Sequence, residues 1–165
     1  MSATVRIAKI DFAGLAAVPA NVMKDAGDLA ARMIRTRTQQ GKDKDGQPFV
    51  AYTPDYSERK AKELGAGPVN LTVSGRMLND MGVSESGINR VSIGFRSSGG
   101  TAPRGTQTLI QRSRAVGAED KARWHDRDGA GKSKVKRPFL GLTDEESGRI
   151  KAAIETYLGL SLIHI

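Results

Sequence analysis

The chain has 165 residues, of which 38% are hydrophobic and only 5% are aromatic, and it contains no cysteine. This length predicts one domain with a modest aliphatic core, and the lack of cysteine excludes disulfides and thiolate metal sites. The formal net charge is +8, and no apolar run approaches the roughly 18 residues that a membrane-spanning helix needs. We therefore expect a basic, single-domain protein with no membrane partner.

The first part of the chain predicts a strand and two helices. Residues 5–12 alternate loosely between apolar and polar side chains, which favours an edge strand. An apolar stripe at helical spacing then predicts an amphipathic helix that begins at Pro19 and ends near Arg37. A second helix is predicted over residues 54–64, and its polar composition indicates a surface position.

The segment between these two helices is mostly polar. A tight turn is predicted at Asp45-Gly46. Phe49, Val50 and Tyr52 follow it and are expected to pack on the core. The acidic residues here lack the ligand spacing of a calcium loop, so we predict no calcium site.

A short helix and a hairpin are predicted in the middle of the chain. Ser74 is expected to cap a short helix whose Met77 and Leu78 share one face. Residues 82–86 and 90–95 then predict two antiparallel strands, joined by a turn at Gly87-Ile88-Asn89. Alternation in the second strand predicts that one of its faces is buried.

Most of the excess positive charge lies in one segment. Residues 96–137 hold eleven basic and four acidic residues. We expect a flexible basic insertion here, within a single domain that covers residues 1–159. Such a segment suits nucleic acid or an acidic protein surface, and it is equally consistent with a solvated loop that keeps the protein in solution.

The last helix has a clear start signal. The block RPFLGL at residues 137–142 leads into Thr143 and Glu146, which form a T-x-x-E capping box. The periodicity after it predicts an apolar stripe on one side of the helix. Its five members are Ile150, Ala153, Ile154, Tyr157 and Leu158.

The helix is predicted to stop at Gly159. The six residues after it, LSLIHI, resemble the translation of a sequencing-library adaptor, so we expect residues 160–165 to be a non-native tail. The elements together predict an α+β fold. Its centre is a small antiparallel β-sheet packed by an N-terminal and a C-terminal amphipathic helix, with a long basic loop.

Motifs for catalysis and for cofactors are weak. His125, with Asp126 and Asp128 beside it, is the one candidate for acid–base or metal-assisted hydrolysis, but no nuclease pattern supports it. GAGK at residues 129–132 lacks the spacing and the flanking strand and helix of a phosphate loop. We therefore predict no enzyme activity, no catalytic residue, no cofactor, no metal site and no small-molecule substrate. His125 is expected to be structural or to lie on the surface.

Several short blocks together carry a family resemblance. The two specific blocks are LTVSGRML at residues 71–78 and RPFLGL at residues 137–142. Weaker blocks are DGQPF at residues 45–49, a V-x-I-G strand at residues 91–94, and a spaced trio of Ala122, His125 and Gly129. On these residues, the chain from about residue 20 to residue 158 resembles the tail-completion and virion-morphogenesis family of tailed bacteriophages and prophages.

The resemblance implies a non-enzymatic structural protein of the virion, made in the bacterial cytoplasm. Such proteins act at the head–tail junction, on the neck or the proximal end of the tail, and join the completed tail to the DNA-filled head. The implied partners are other phage neck and tail proteins, further copies of the chain in a ring, and packaged DNA. The alternative function is a DNA-binding module that uses residues 96–137.

Two residue sets carry these expectations. The expected partner or nucleic-acid contacts are eight basic residues: Arg104, Arg112, Arg114, Arg123, Lys132, Lys134, Lys136 and Arg137. The family-motif residues, to which a structural role is assigned, are Leu71, Ser74, Gly75, Met77, Leu78, Arg137, Pro138, Phe139, Leu140 and Gly141.

Overall fold

The computed structural model describes residues 17–96, 108–131 and 133–163, without the side chains of Arg112 and residues 160–163. The predicted strand at residues 5–12 lies outside these ranges. The described elements, in chain order, are α1 (Ala20–Gln39), α2 (Pro54–Leu64), α3 (Arg76–Asn79), β1 (Met81–Gly87), β2 (Arg90–Phe95), α4 (Leu109–Ala115), α5 (Ala118–Arg123), a π-helical turn (Trp124–Asp128) and α6 (Asp144–Ile163). No helix among them is long and apolar enough to cross a membrane.

Helix α1 is the element on which the core is built. It contacts both strands and also α6. Its buried face includes Val22, Met23, Ala30 and Ile34, in agreement with the predicted amphipathic stripe. The predicted first helix is therefore confirmed, and so is the mixed helix-and-sheet class of the fold.

Gly27 lets α1 lie very close to the hairpin. A Cβ atom at this position would be 2.5 Å from Val91 Cγ2 and 2.7 Å from Val83 Cγ2. Glycine is a poor helix former and costs about 1 kcal/mol relative to alanine. The close packing against two valine side chains explains why the helix keeps a glycine here.

Replacing Gly27 with alanine is expected to destabilise the protein, although alanine favours the helix. The added methyl group must displace two packed valines, and overpacking of this kind costs about 1–3 kcal/mol. Gly148→Ala is the matched control, because nothing lies within 4 Å of a Cβ atom at that helical glycine. It should stabilise the protein by about 0.5–1 kcal/mol. Urea unfolding measures the change in unfolding free energy for both variants. Stabilisation by both substitutions would contradict the close approach of α1 to the hairpin at Gly27.

The hairpin is confirmed, with a shorter turn than predicted. β1 and β2 pair antiparallel, with a bulge between Val83 and Glu85, and only Ile88 and Asn89 join them. Asn89 has a φ of 54°. Its side chain accepts a hydrogen bond from the Val18 amide at 2.6 Å, so the turn is tied to the segment before α1.

The prediction that one face of β2 is buried is too narrow. All four residues from Val91 to Gly94 are buried, including Ser92 at 5% exposure. Both α1 and α5 contact this strand. The alternation of apolar residues in the sequence therefore identified only one of the two faces of β2 that are buried.

Most of the described basic segment between residues 109 and 128 is helical, which corrects the predicted long loop. It forms α4, α5 and the π-helical turn. Ala118 and Ala122 are fully buried and belong to the main core. These two small residues anchor α5, whose other four side chains are charged. The composition of this segment therefore predicted a loop.

Helix α6 begins as predicted and then departs from the prediction. Ile150 and Ile154 are buried, whereas Ala153 and Tyr157 are exposed, so the apolar stripe is narrower. The helix also continues past Gly159 to Ile163. Gly159 does not adopt the positive φ that ends a helix.

The segment between α1 and α2 is mostly as predicted. The turn at Asp43–Gly46 is present, with a hydrogen bond from the Gly46 amide to the Asp43 carbonyl. Phe49 is buried, but Val50 is 59% exposed, which corrects the expectation that it packs on the core. Consecutive side chains of an extended segment point in opposite directions, so the two residues cannot both face inward.

Candidate functional site

The RPFLGL block forms an irregular segment that several distant groups hold in place. The guanidinium of Arg37, near the end of α1, donates hydrogen bonds to the carbonyl oxygens of Phe139 at 2.9 Å and Gly141 at 2.8 Å. It also forms an ion pair with Glu146 in the first turn of α6. One side chain therefore ties α1, the block and α6 together.

This ion pair is almost completely buried. The side chains of Arg37 and Glu146 are 7% and 12% exposed. Glu146 also completes the predicted capping box, in which it accepts from the Thr143 amide at 2.9 Å while its own amide donates to Thr143 Oγ1 at 3.1 Å. Burial lowers the pKa of Arg37, and the charge of Glu146 opposes that shift. The predicted capping box is confirmed, and its glutamate has a second partner.

Asp126 holds the other side of the block. Its Oδ1 accepts hydrogen bonds from the amides of Phe139 at 3.2 Å and Leu140 at 3.1 Å. The amide of Lys44 donates to the Pro138 carbonyl at 3.0 Å. These contacts give Asp126 a structural role. Across the described ranges, no three acidic or histidine side chains come together as metal ligands.

The two specific motif blocks meet in the core. Leu71, Met77 and Leu78 from the first block and Phe139 and Leu140 from the second belong to one buried cluster. Phe139 is fully buried. The blocks are about 60 residues apart in the sequence. Their apolar residues thus join opposite halves of the chain.

Ser74 does not cap α3, which corrects that prediction. Gly75 is the residue before the helix, has a left-handed φ of 72°, and no side chain caps this end. The Ser74 hydroxyl instead lies 2.9 Å from the Ser113 hydroxyl on α4. The glycine turns the chain so that the serine faces a neighbouring helix.

The predicted contact residues fall into two groups. Arg114, Arg123, Lys134 and Lys136 are exposed. Arg137 is only 5% exposed, so it is buried where the other described members of the set are exposed. Its side chain donates to the carbonyl oxygens of residues 50 and 51, each at 2.8 Å. Arg104, Lys132 and the side chain of Arg112 lie outside the described part.

The exposed group is partly neutralised by its neighbours. Arg123 forms ion pairs with Asp128 at 3.2 Å and Asp120 at 3.7 Å. Arg114, Lys134 and Lys136 form no ion pair with the residues that the structure describes. These three cations are the part of the predicted basic set that is open to a partner.

His125 lies where the π-helical turn meets the RPFLGL block. Its carbonyl oxygen accepts from the Arg137 amide at 2.6 Å, and its Nδ1 is buried without a hydrogen-bond partner. Burial, together with the charges of Arg137 and Lys121, lowers the pKa of His125 to about 4. The imidazole is therefore neutral near pH 7.

This histidine predicts a pH dependence of stability. An unfolded histidine has a pKa of about 6.5, so the unfolded state binds the proton first as the pH falls. We expect the free energy of unfolding to drop by about 2–3 kcal/mol between about pH 6.5 and 4, and then to level off. His125→Gln should lack this component in urea unfolding at a series of pH values. Parallel curves for the two proteins would show that the imidazole is solvated.

An open groove of about 430 Å³ lies where the end of α1 meets the start of α6. The Arg37–Glu146 pair forms part of its wall. The other charged residues that line it are Arg32, Lys42, Glu145 and Arg149. Positive groups outnumber acids here, so the groove continues the basic character of the molecule.

Sequence reasoning missed Arg37, Glu146 as its partner, and Asp126 as a structural acid. Arg37 was visible only as one of several basic residues at the end of a helix. Its partner lies 109 positions away. Glu146 was read from local spacing as a capping residue, and no local pattern reports a second, distant partner.

Comparison with family models, with curated proteins and with solved structures returns no match for this chain. The resemblance therefore rests on the sequence blocks themselves.

Proposed function

We propose that this chain is a structural protein of tailed bacteriophages and prophages that acts at the head–tail junction. It completes the tail and helps to join it to the DNA-filled head. The observation that carries the proposal is that both specific blocks of the resemblance serve to fix the backbone. Leu78 and Phe139 supply core contacts, while Arg37 and Asp126 hold the second block from two sides.

A protein whose distant segments are fixed by such contacts suits a subunit that withstands mechanical force between two large assemblies. Identical copies in a ring make heterologous contacts that close on themselves. Each copy must keep its shape while its neighbours change. The buried Arg37–Glu146 pair supports that requirement, because breaking a buried pair is strongly unfavourable.

The exposed cations supply a surface for other partners at the junction. Arg114, Lys134 and Lys136 are open and lack ion pairs within the described part of the chain. Packaged DNA and acidic neck proteins both complement such a surface. We expect monomers or loose oligomers in isolation and a ring on the particle.

Deletion of the gene from its phage or prophage, with electron microscopy of the induced lysate, tests this function. Filled heads beside complete free tails would support a joining role. Tails of abnormal length, or no tails, would move the protein to tail termination or assembly. Normal infectious particles would reject the proposal. Complementation with the wild-type gene is the control.

The second candidate is a DNA-binding module, and the three open cations favour it. A protein that neutralises several phosphates loses affinity steeply as salt rises. The triple variant Arg114→Gln, Lys134→Gln, Lys136→Gln should bind duplex DNA more weakly and with a shallower salt slope. Unchanged binding by this variant would remove the described surface from consideration.

A further inference from the structure

Three basic side chains are buried in the described part of the chain. They are Arg37 at 6%, Lys60 at 9% and Arg137 at 5% exposure. Arg37 has a carboxylate partner in Glu146. Lys60 and Arg137 form no ion pair with any described residue. Buried charges are ordinarily paired, so these two cations need an explanation.

Lys60 and Arg137 share one aromatic ring. Lys60 Nζ and Arg137 Cζ each lie 4.9 Å from the centroid of Tyr52. Lys60 Nζ donates to Asn70 Oδ1 at 2.7 Å. Among the described residues, the Arg137 guanidinium donates to the carbonyl oxygens of Val50 and Ala51. We call Lys60, Tyr52 and Arg137 the cation cluster; all of its hydrogen-bond acceptors are neutral.

Glu63, three residues after Lys60 on α2, is already engaged. Glu63 lies 3.1 Å from Arg59 Nε and also accepts from the Leu109 amide at 2.7 Å. Burial lowers the pKa of both Lys60 and Arg137, and no carboxylate opposes that shift for either group. Among the described residues, these two desolvated cations therefore have no carboxylate as counter-charge.

The cluster lies just beneath a surface that suits a protein partner. Tyr56 and Leu64 stand four residues before and after Lys60, so the three share one face of α2. Leu64 is 37% exposed, and Val50, whose carbonyl binds Arg137, is 59% exposed. Tyr56 packs edge-on against Tyr52 with ring centroids 4.8 Å apart. Tyrosine and arginine beside exposed apolar groups are typical of interface centres.

We propose that the cation cluster is the docking site for an acidic segment of a partner protein. A carboxylate of that segment supplies the missing counter-charge, and apolar neighbours in the segment cover Val50 and Leu64. The cluster includes none of the three open cations Arg114, Lys134 and Lys136. It does not depend on the proposed phage function.

Lys60→Met tests the site through two readouts with opposite signs. Methionine keeps the long apolar stem beside Tyr52 and removes an unpaired buried charge, so the Tm of the free protein should rise by about 2–4 °C. Binding of poly-L-glutamate to the full chain should weaken about tenfold. Isothermal titration and thermal unfolding measure these quantities.

Lys62→Met is the matched control, because Lys62 is exposed on the same helix. It removes the same charge, so unspecific attraction to poly-L-glutamate falls equally in both variants. We expect it to leave the Tm within about a degree, as ordinary surface changes do. Lys60→Arg keeps the charge and should retain most of the poly-L-glutamate affinity, which separates a charge effect from a folding effect.

Three outcomes would overturn the proposal. Equal weakening of poly-L-glutamate binding by Lys60→Met and Lys62→Met would show that the cluster does not take a carboxylate. A larger effect of Lys60→Met on duplex DNA than on poly-L-glutamate would assign the site to nucleic acid instead. If Lys60→Met lowers the Tm, its loss of affinity no longer isolates the effect of the charge. The affinity of Lys60→Arg for poly-L-glutamate is then compared with that of the wild type, and a tenfold loss for Lys60→Arg would also reject the docking site.

Discussion

Glu146→Gln is expected to lower the free energy of unfolding by about 3–5 kcal/mol, the usual effect of removing one partner from a buried ion pair. The substitution leaves Arg37 buried without its counter-charge. Glutamine also serves as the third helical residue of a capping box, so the hydrogen bond to the Thr143 amide is retained. The loss of unfolding free energy therefore measures the effect of removing the charge of Glu146, and not the effect of removing the helix cap. Urea unfolding at pH 7 measures it.

Glu145→Gln is the control for this experiment. Glu145 is exposed in the same helical turn, so its loss should change the free energy of unfolding by no more than about 0.5 kcal/mol. A similar small effect for Glu146→Gln would mean that water reaches the Arg37 guanidinium. In that case the pair would not hold the RPFLGL block.

Gly129→Ala should cost about 2–5 kcal/mol, from two separate sources. Gly129 has a φ of 84°, a conformation that alanine adopts only with strain. A Cβ atom there would also lie 2.1 Å from the carbonyl oxygen of Lys134, a backbone atom that cannot simply rotate away. The turn that leads into Arg137 would have to open. Equilibrium unfolding measures the cost.

Gly131→Ala separates the two sources. Gly131 has a φ of 72°, but nothing lies within 4 Å of a Cβ atom at this position. Its substitution should cost only the left-handed strain, about 1–2 kcal/mol. Equal effects at the two glycines would contradict the close approach of Lys134 to Gly129.

Both predictions concern the way in which the second motif block is held. Glu146 acts through Arg37 on the carbonyl side of the block, and Gly129 shapes the turn before it. A protein that only displays a basic surface has no need for such a joint. The proposed function, a subunit between head and tail, does need one, so the same variants can be tested by complementation of the gene deletion.

Elements with a strong local signal were predictable from the sequence. Helix α1, helix α2 and the hairpin lie close to where periodicity and turn residues put them. The Thr143–Glu146 capping box was readable from its spacing alone. In each case the hydrogen bonds join residues a few positions apart, so neighbouring side chains carry the necessary information.

Elements with small or charged residues were not predictable in the same way. The segment around Ala118 and Ala122 reads as a basic loop, because alanine contributes little to an apolar stripe. In the fold, these alanines are fully buried, and their small size admits close contact with the core. The sequence likewise predicts Ser74 as a helix cap, whereas the left-handed Gly75 precedes the helix and the Ser74 hydroxyl contacts Ser113 instead.

The sequence by itself determined the class of the fold, the main helices and strands, and the start of the last helix, because these depend on short-range patterns. Tertiary structure alone decided which charges are buried and what they meet. Arg37 pairs with Glu146 across 109 positions, whereas Lys60 and Arg137 meet on Tyr52 with no acidic partner among the described residues. The free energy of a buried charge depends on its surroundings in three dimensions, and no local spacing encodes those surroundings.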